Sequence, residues 1–491
     1  MIDTNVIRNK VLDLAIQGKL VEQRAEEGTA ETLYAEIQEE KQKLIAEGKI
    51  KKEKPLAEIK EDEKPFEIPK SWKWCKINEI AFVTKLAGFE YTSHIAPNLV
   101  TAGVPLFKGK NVQNGQLIYI FESFIPEKIS DLLPRSQLNR KCLLTPYVGT
   151  IGNIAIFDGS IKAHLGSNVG KIEFFNENSV FVLEEYMLFA FRSPLGLKQL
   201  SKHKKATAQE SISIGAIRDA ILPLPPLAEQ HRIVGVVSEI FKSLDIIDDL
   251  KSKYASDCEV LKSKLLDLAI RGKLVEQRAE EGTAETLYAE IQAEKQKLIA
   301  EGKIKKENPL AEIKDDEKPF EIPKSWKWVR LGECSTYAQT KIKISAKNIQ
   351  SSMWSLDLAD IEKESGRIIN YCKANEREII GDKVRFYKGQ ILYSKLRPYL
   401  KKILVAPADG ICTSELVPFN VFGKIAPQFI AFVLRSPYVD FFINSVTYGI
   451  KMPRVSADTM TALLIPLPPL AEQHRIVARI EELLPLCDKL N

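Results

Sequence analysis

Between residues 228 and 271 apolar side chains return at alternating intervals of four and three. The series is Ile233, Val237, Ile240, Leu244, Ile247, Tyr254, Cys258, Leu261, Leu265 and Leu268, with Lys251 filling its one polar place. Such spacing holds one stripe on one side of a helix, so it predicts a helix lying lengthwise on another helix. The helix is expected to run from Ala228 to about Arg271 and stop at Gly272. At 1.5 Å per residue it is roughly 66 Å long. Two other stretches carry pieces of the same stripe. Ile476, Ile480, Leu483, Cys487 and Leu490 match its first half, and Ile7, Val11 and Leu14 match Leu261, Leu265 and Leu268. Together the chain ends copy the central helix, lacking only positions 249 to 254. An antiparallel pair follows, with one continuous member and one made of the C-terminal and N-terminal helices laid end to end. The alternative is that each helix docks on its own domain. Pro485 departs from the central copy and is expected to kink or end its helix.

The copying extends beyond the helix. Residues 10–74 recur as 264–328 with five differences, Val11/Leu265, Gln17/Arg271, Glu39/Ala293, Lys54/Asn308 and Glu61/Asp315. PLPPLAEQHRIV occurs at 223–234 and again at 466–477. After each long-helix segment a thin stripe, Leu33, Ile37 and Leu44 in the first copy, marks a helix between Thr29 and Gly48. A stripe that thin suits a helix lying on another surface, either a partner's or its own domain's. A charged stretch of mixed sign then reads as a solvated connector leading to FEIPKSWKW, an aromatic entry to a strand. Between the copies lie two variable stretches, 75–222 and 329–465. Their last thirds align without a gap at offset 243, pairing Arg192-Ser193-Pro194 with Arg435-Ser436-Pro437 and Ser211 with Arg454. Short β-branched runs such as LIYIF, NIAIF, VRFYKGQILY and KKILVA predict sheet, and the RSP regions predict helix. The expected class is therefore α+β, with two similar domains separated by a long antiparallel helical pair in a pseudo-twofold, circular arrangement. The expected segments are 1–18, an N-terminal helix completing the second long helix; 19–67, a helical connector; 68–227, the first domain; 228–272, the central helix; 273–321, the repeated connector; 322–470, the second domain; and 471–491, the C-terminal helix.

Composition changes this picture little. Apolar residues make up 45% and charged residues 27%, ordinary for a folded soluble chain. A formal net charge of +5 permits a nucleic-acid partner without requiring one. No run approaches the roughly 20 apolar residues of a membrane helix, so a cytoplasmic location and no membrane partner are expected. The seven cysteines are scattered and never spaced C-x-x-C, which reads as reduced thiols without a zinc site. Five histidines form no metal-spaced cluster. Both Pro-Pro pairs sit in LPPL, so the N-P-P-[FY] and D-P-P-Y motifs of amino-methyltransferases are missing. The G-x-x-x-x-G-K-[ST] phosphate loop is missing as well. No catalytic and no metal-binding residues are expected.

The doubled PLPPLAEQHRIV, the doubled DLAI-x-GKLVEQ, the PKSWKW entry and the two variable domains resemble the DNA-specificity subunit of Type I restriction–modification systems. The resemblance spans nearly the whole chain. It implies a non-catalytic, sequence-specific DNA-binding subunit in which each variable domain recognises one half of a split, asymmetric double-stranded target. The helices would act as a ruler and help hold two methyltransferase subunits, which restriction and motor subunits then join. No cofactor is expected in this chain; S-adenosylmethionine, ATP and Mg belong to those partners. The competing reading is a two-armed protein-binding scaffold without DNA specificity.

Reading DNA requires cations for phosphates, and amides, hydroxyls or guanidinium groups for base edges. In the first domain the candidates are Lys108, Lys110, Asn111, Gln113 and Asn114, then Tyr147, Thr150 and Asn153, then Lys204, Lys205, Gln209 and Ser211. In the second they are Lys341 and Lys343, then Lys395, Arg397, Tyr399, Lys401 and Lys402, then Lys451 and Arg454. Ser213 and Ser456, equal in both domains, read as helix caps.

Overall fold

The long helix runs from Leu227 to Ile270 in a computed structural model that describes residues 2–52, 57–113, 115–148, 152–176, 180–201, 211–306, 310–339, 342–447 and 453–489. Gly272, at φ +67°, ends it, because its amide and that of Lys273 turn back to the carbonyls of Ala269 and Leu268. The chain forms two compact units, residues 1–250 and 251–491, so the helix belongs to both.

In the first unit the N-terminal helix Thr4–Ile16 packs antiparallel on the long helix. Asp3 caps it by accepting from the amides of Asn5 and Val6. Thr4 Oγ1 meets Asp248 at 2.7 Å, and Arg8 meets Asp245 at 2.7 Å and lies 5.1 Å over the Phe241 ring. Val11 and Ala15 then join the core that holds Ile233 and Val237. In the second unit the helix Leu470–Lys489 shares a core with Ala269 and Ile270 through Ile476 and Ile480. Each half of the expected pairing is thus present within its own unit.

The seam itself differs from the sequence expectation at Ile7, Tyr254 and Leu261, which are exposed, and Leu490 lies outside the described residues. The faces in contact are Thr4, Val11 and Ala15 and their counterparts Cys258, Leu265 and Ala269. A 3.6-residue helix drifts against a strict 3.5 repeat, so the inward position moves forward from Leu268 to Ala269. Ile240, Ile247, Leu268, Leu14 and Leu483 are half-buried, while Leu244 is buried. Pro485 does not end its helix, which continues to Lys489.

The thin-striped helices Ala30–Ala46 and Ala284–Ala300 lie on their own units. Leu33, Ile37 and Leu44 are buried in the first core, and Leu287 and Ile291 in the second. The connector 19–67 is therefore built into the unit that follows it. Gly48 and Gly302 close these helices at φ +71° and +69°. Thr29 and Thr283 stand at the cap positions without side-chain cap bonds.

Each unit has a rear core, which joins the helices to a sheet, and a smaller front core. The PKSWKW entry becomes the strand Lys73–Lys76, antiparallel to Ile221–Leu224; its copy Lys327–Arg330 pairs with Leu464–Leu467 in the same register. The front sheets share a plan that the sequences conceal. In the first unit Val104–Phe107 runs parallel to Ala163–Leu165 between antiparallel edges Phe124–Ile125 and Gln137–Leu138. In the second, Trp354–Leu356 runs parallel to Gly410–Cys412 between Cys372–Lys373 and Lys383–Phe386, and Ile342–Ile344 adds an outer strand. LIYIF is strand only at its start, in Gln116–Leu117. The RSP arginines end the helices Glu184–Arg192 and Pro427–Arg435. Ser436 then caps the helix opened by Pro437, while Ser193 accepts from the Gly196 amide. Among the described residues no single helix is long and apolar enough to cross a membrane.

Candidate functional site

The repeated LAEQHR blocks turn out to be latches. Glu229 is buried and accepts from Trp72 Nε1 at 2.8 Å and Gln23 Nε2 at 2.5 Å. Glu472 does the same with Trp326 at 2.9 Å and Gln277 at 2.5 Å. Burial pushes both carboxyls up, and the tryptophan and glutamine donors oppose it. Gln230 accepts from the Leu183 amide, and Gln473 from that of Ala426. Arg232 forks onto Glu27 at 2.8 and 2.6 Å, as Arg475 forks onto Glu281. One short block, opening the long helix in the first unit and the C-terminal helix in the second, thus ties that helix, the connector and the variable domain together. Sequence reading found the repeat but not these roles, because the partners lie far away along the chain.

The variable surfaces are assembled on this frame by a junction that both units share. In the first, Val148 bridges Ser211, the Tyr147 amide donates to Asn168, and the Ile212 amide donates to Tyr147 at 2.9 Å. In the second, Leu396 bridges Arg454, the Lys395 amide donates to Glu415, and the Val455 amide donates to Lys395. Ser211 and Arg454 therefore occupy equivalent places, as the ungapped alignment had them. A hairpin lies beside each junction. Val112–Gln113 pairs with Gln116–Leu117, and Asn153 holds this turn through the Val112 carbonyl at 2.6 Å and the Gly115 amide at 3.1 Å. Its counterpart is the turn 361–368, where Ile361 bridges Ile368. There Lys401 pairs with Glu364 at 3.0 Å and Asp440 at 3.1 Å. The sequence reading missed this second turn; the shared spacing of a positive-φ glycine two residues before an apolar position, Gly115-Gln116-Leu117 and Gly366-Arg367-Ile368, is the signal that marks it.

The individual candidates separate into inward and outward groups. Asn111 is buried and holds its loop: its oxygen accepts from the Lys108 amide, and its amide donates to the carbonyls of Ile118 and Ile120. Lys402 turns inward to the Leu358 carbonyl at 2.6 Å, and burial lowers its pKa. Lys108 bonds Ser123, Lys110 pairs with Glu122, and Arg454 pairs with Glu415 at 3.1 Å. Tyr147 is half-buried, with Lys85 at 4.5 Å from its ring. Gln113, Lys343, Arg397 and Tyr399 are exposed. Arg397 and Lys401 flank Pro398-Tyr399-Leu400 in left-handed backbone, φ +47° and +48°, a conformation costly for side chains of this size. Asn114, Thr150, Lys204, Lys205, Gln209, Lys341 and Lys451 lie outside the described residues. Among the described residues no group of three or more His, Cys, Asp or Glu is placed to hold a metal, and none of the described cysteines forms a disulfide.

A frame held constant under two differently surfaced readers is matched by known proteins. The family model described as Type I restriction modification DNA specificity domain matches residues 69–253 and again 323–491. The chain belongs to this family. It is 28% identical over 553 aligned positions to the Type I restriction enzyme EcoAI specificity subunit of Escherichia coli, covering 99% of this chain and 89% of that one. The EcoEI specificity subunit of the same organism is 25% identical with the same coverage. A chain from a structure concerned with complex assembly and conformational transition of the type I R-M system shares the fold, with TM-score 0.57 at 16% identity, covering 87% of this chain and 93% of that one. As a Type I specificity subunit the protein is a non-catalytic, sequence-specific DNA-recognition component, and catalysis resides in partner subunits. Its two family matches begin at the PKSWKW entries and take in the latches, the junctions and the hairpins.

Proposed function

We propose that each unit reads one half of a split, asymmetric double-stranded target through the junction and hairpin of its variable domain. The carrying observation is that the same junction recurs in both units with different side chains, Ser211 against Arg454 and Tyr147 against Lys395. Constant backbone with changed side chains is what two readers of different base sequence require. Arg397, Tyr399 and Lys395 are the leading contacts in the second unit, with Lys343 as a further candidate; Gln113, Asn114, Tyr147 and Thr150 lead in the first. Lys204, Lys205, Gln209, Lys341 and Lys451 stay candidates by residue type and sequence position. Two methyltransferase subunits carrying S-adenosylmethionine, and restriction subunits carrying ATP and Mg, complete the assembly. The 44-residue helix is the element assigned to spacing the half-sites.

The test is to replace residues 329–465 by a second copy of 75–222 in the chain co-produced with its methyltransferase, and to sequence the methylome. A pseudo-twofold frame then presents the first half-site sequence twice, as an inverted repeat about the gap. A soluble, methylating chimera that keeps the original asymmetric motif would sink the assignment of one reader per unit.

A further inference from the structure

The RSP arginines do something the frame does not otherwise explain. Arg435 ends the helix Pro427–Arg435, lies 4.9 Å over the Phe432 ring, and donates from Nη1 to the Ser365 carbonyl at the tip of the turn 361–368. Beside it Gly366 stands at φ +68°, where a Cβ would lie 1.9 Å from the Ile403 carbonyl oxygen. The tip is therefore pressed onto the strand Ile403–Val405 and held from the helix side. In the first unit Arg192 ends the helix Glu184–Arg192 and meets the other hairpin at the same point: a Cβ on Gly115, φ +76°, would lie 2.7 Å from Arg192 Nη1. None of the ion pairs among the described residues includes either arginine. Burial lowers the pKa of both, Arg435 to about 10. An arginine kept charged in such a place, without a carboxylate, needs a reason.

We propose that Arg435 and Arg192 are positioning residues for target recognition: each fixes the tip of its unit's hairpin, and in the second unit that tip presents Lys363 and Arg367 to DNA. The proposal rests on the reading of the units as half-site readers. Lys363 and Arg367 are exposed, and Arg367 is paired only at the surface, with Glu362 at 3.0 Å. Glu362 and Glu364 surround them, so the free turn has little net charge; DNA phosphate would displace the carboxylates from these cations. Both hairpins hang from a helix end in the rear core, so a guanidinium clamp converts the stiffness of that core into the placement of an exposed tip.

The test uses the whole chain in complex with its methyltransferase, on duplexes carrying single base changes in each half of the target found by methylome sequencing. Arg435→Met keeps the stem and removes the donor. Discrimination against wrong bases in one half-site is expected to fall about tenfold or more, with the other half-site and the thermal midpoint unchanged. Arg192→Met should affect the opposite half-site, and Arg435→Lys should restore part of the loss. A variant carrying both Lys363→Ala and Arg367→Ala, too exposed to perturb folding, should reduce the slope of log affinity against log salt by about one to two. Equal losses in both half-sites from Arg435→Met, or unchanged discrimination in it together with an unchanged salt slope in the double variant, would overturn the proposal. If the unmodified complex itself shows no base discrimination, the half-site reading falls, and this inference with it.

Discussion

The two hairpins reach the same place by different chemistry. Besides the arginine at each tip, neutral amides brace the first hairpin: Asn111 binds two carbonyls and one amide, and Asn153 binds the turn at 2.6 and 3.1 Å. In the second, the residue in the place of Asn111 is Asp360. It accepts from the Asp357 amide at 2.7 Å, and Arg377 pairs with it at 2.8 Å and with Asp357 at 2.9 Å. Hydrogen bonding to Asp360 drives the Arg377 pKa upward, so the cluster stays charged. Lys401, bound to Glu364 and Asp440, takes over what Asn153 does in the first unit. The lesson is that backbone pairing fixes the geometry while side-chain chemistry varies freely behind it. A family that changes its target needs that separation.

The largest effect should come from the part the units share. Trp72→Ala and Trp326→Ala each open a cavity in the rear core and leave a buried glutamate short of a donor. A loss of about 3–5 kcal/mol is expected from each. Urea unfolding followed by hydrogen exchange in each unit would locate the loss. Clearly unequal losses would show that the latches are not equivalent and would break the comparison at its base.

Next come the fronts. Asn111→Asp takes the amide donor away from two carbonyls, and Asp360→Asn takes the charge away from Arg377. Each exchange is expected to cost about 1–3 kcal/mol, since a buried partner is left unsatisfied. The neutral and ionic solutions are then not interchangeable although their backbones are. Stability unchanged in either variant would mean that the side chain follows the loop and does not hold it.

At the surface, Arg397→Ala tests an exposed residue of the second junction. If its guanidinium forks onto guanine, binding should weaken by about 1–3 kcal/mol with one position relaxed. If it meets only phosphate, the loss should be even across sequences and the salt slope should shrink by about one. Titrations at several salt concentrations distinguish these, and no change in either quantity would remove Arg397 from the interface.

Much of the frame was legible in the sequence for physical reasons. A heptad stripe, a glycine stop and an exact repeat are local signals, and the long helix, its antiparallel halves and the paired entry strands follow from them. The seam was misread at Ile7, Tyr254 and Leu261, where accumulated twist changes which residue faces inward. The front of each variable domain was not legible. The strand pairs Val104–Phe107 with Ala163–Leu165 and Trp354–Leu356 with Gly410–Cys412 obey one topology through backbone bonds that any β-compatible sequence can make. Candidate site residues chosen by side-chain type were therefore mixed: Asn111 looks like a base reader by chemistry and is a loop brace by position.

The smallest effect concerns the latches again, through pH. Burial raises the pKa of Glu229 and of Glu472, so the folded state binds each proton more tightly than the unfolded chain does. That contribution favours folding in acid and is lost as pH rises from the ordinary carboxylate range, about 4.3, through the raised folded value. Glu27 works the other way in the same latch. Hydrogen bonding to Arg232 lowers its pKa, so its contribution is present above the ordinary range and fades as pH falls through the lowered value. The two slopes oppose each other in wild type. Glu229→Gln keeps an oxygen for Trp72 Nε1 and removes the titrating proton. Its stability relative to wild type is therefore expected to climb between about pH 4 and neutrality. Glu472→Gln should repeat the climb in the second unit. Urea midpoints across that range at fixed ionic strength provide the measurement, and a flat difference for either variant would mean that its carboxyl is held near its ordinary pKa by the tryptophan and glutamine donors.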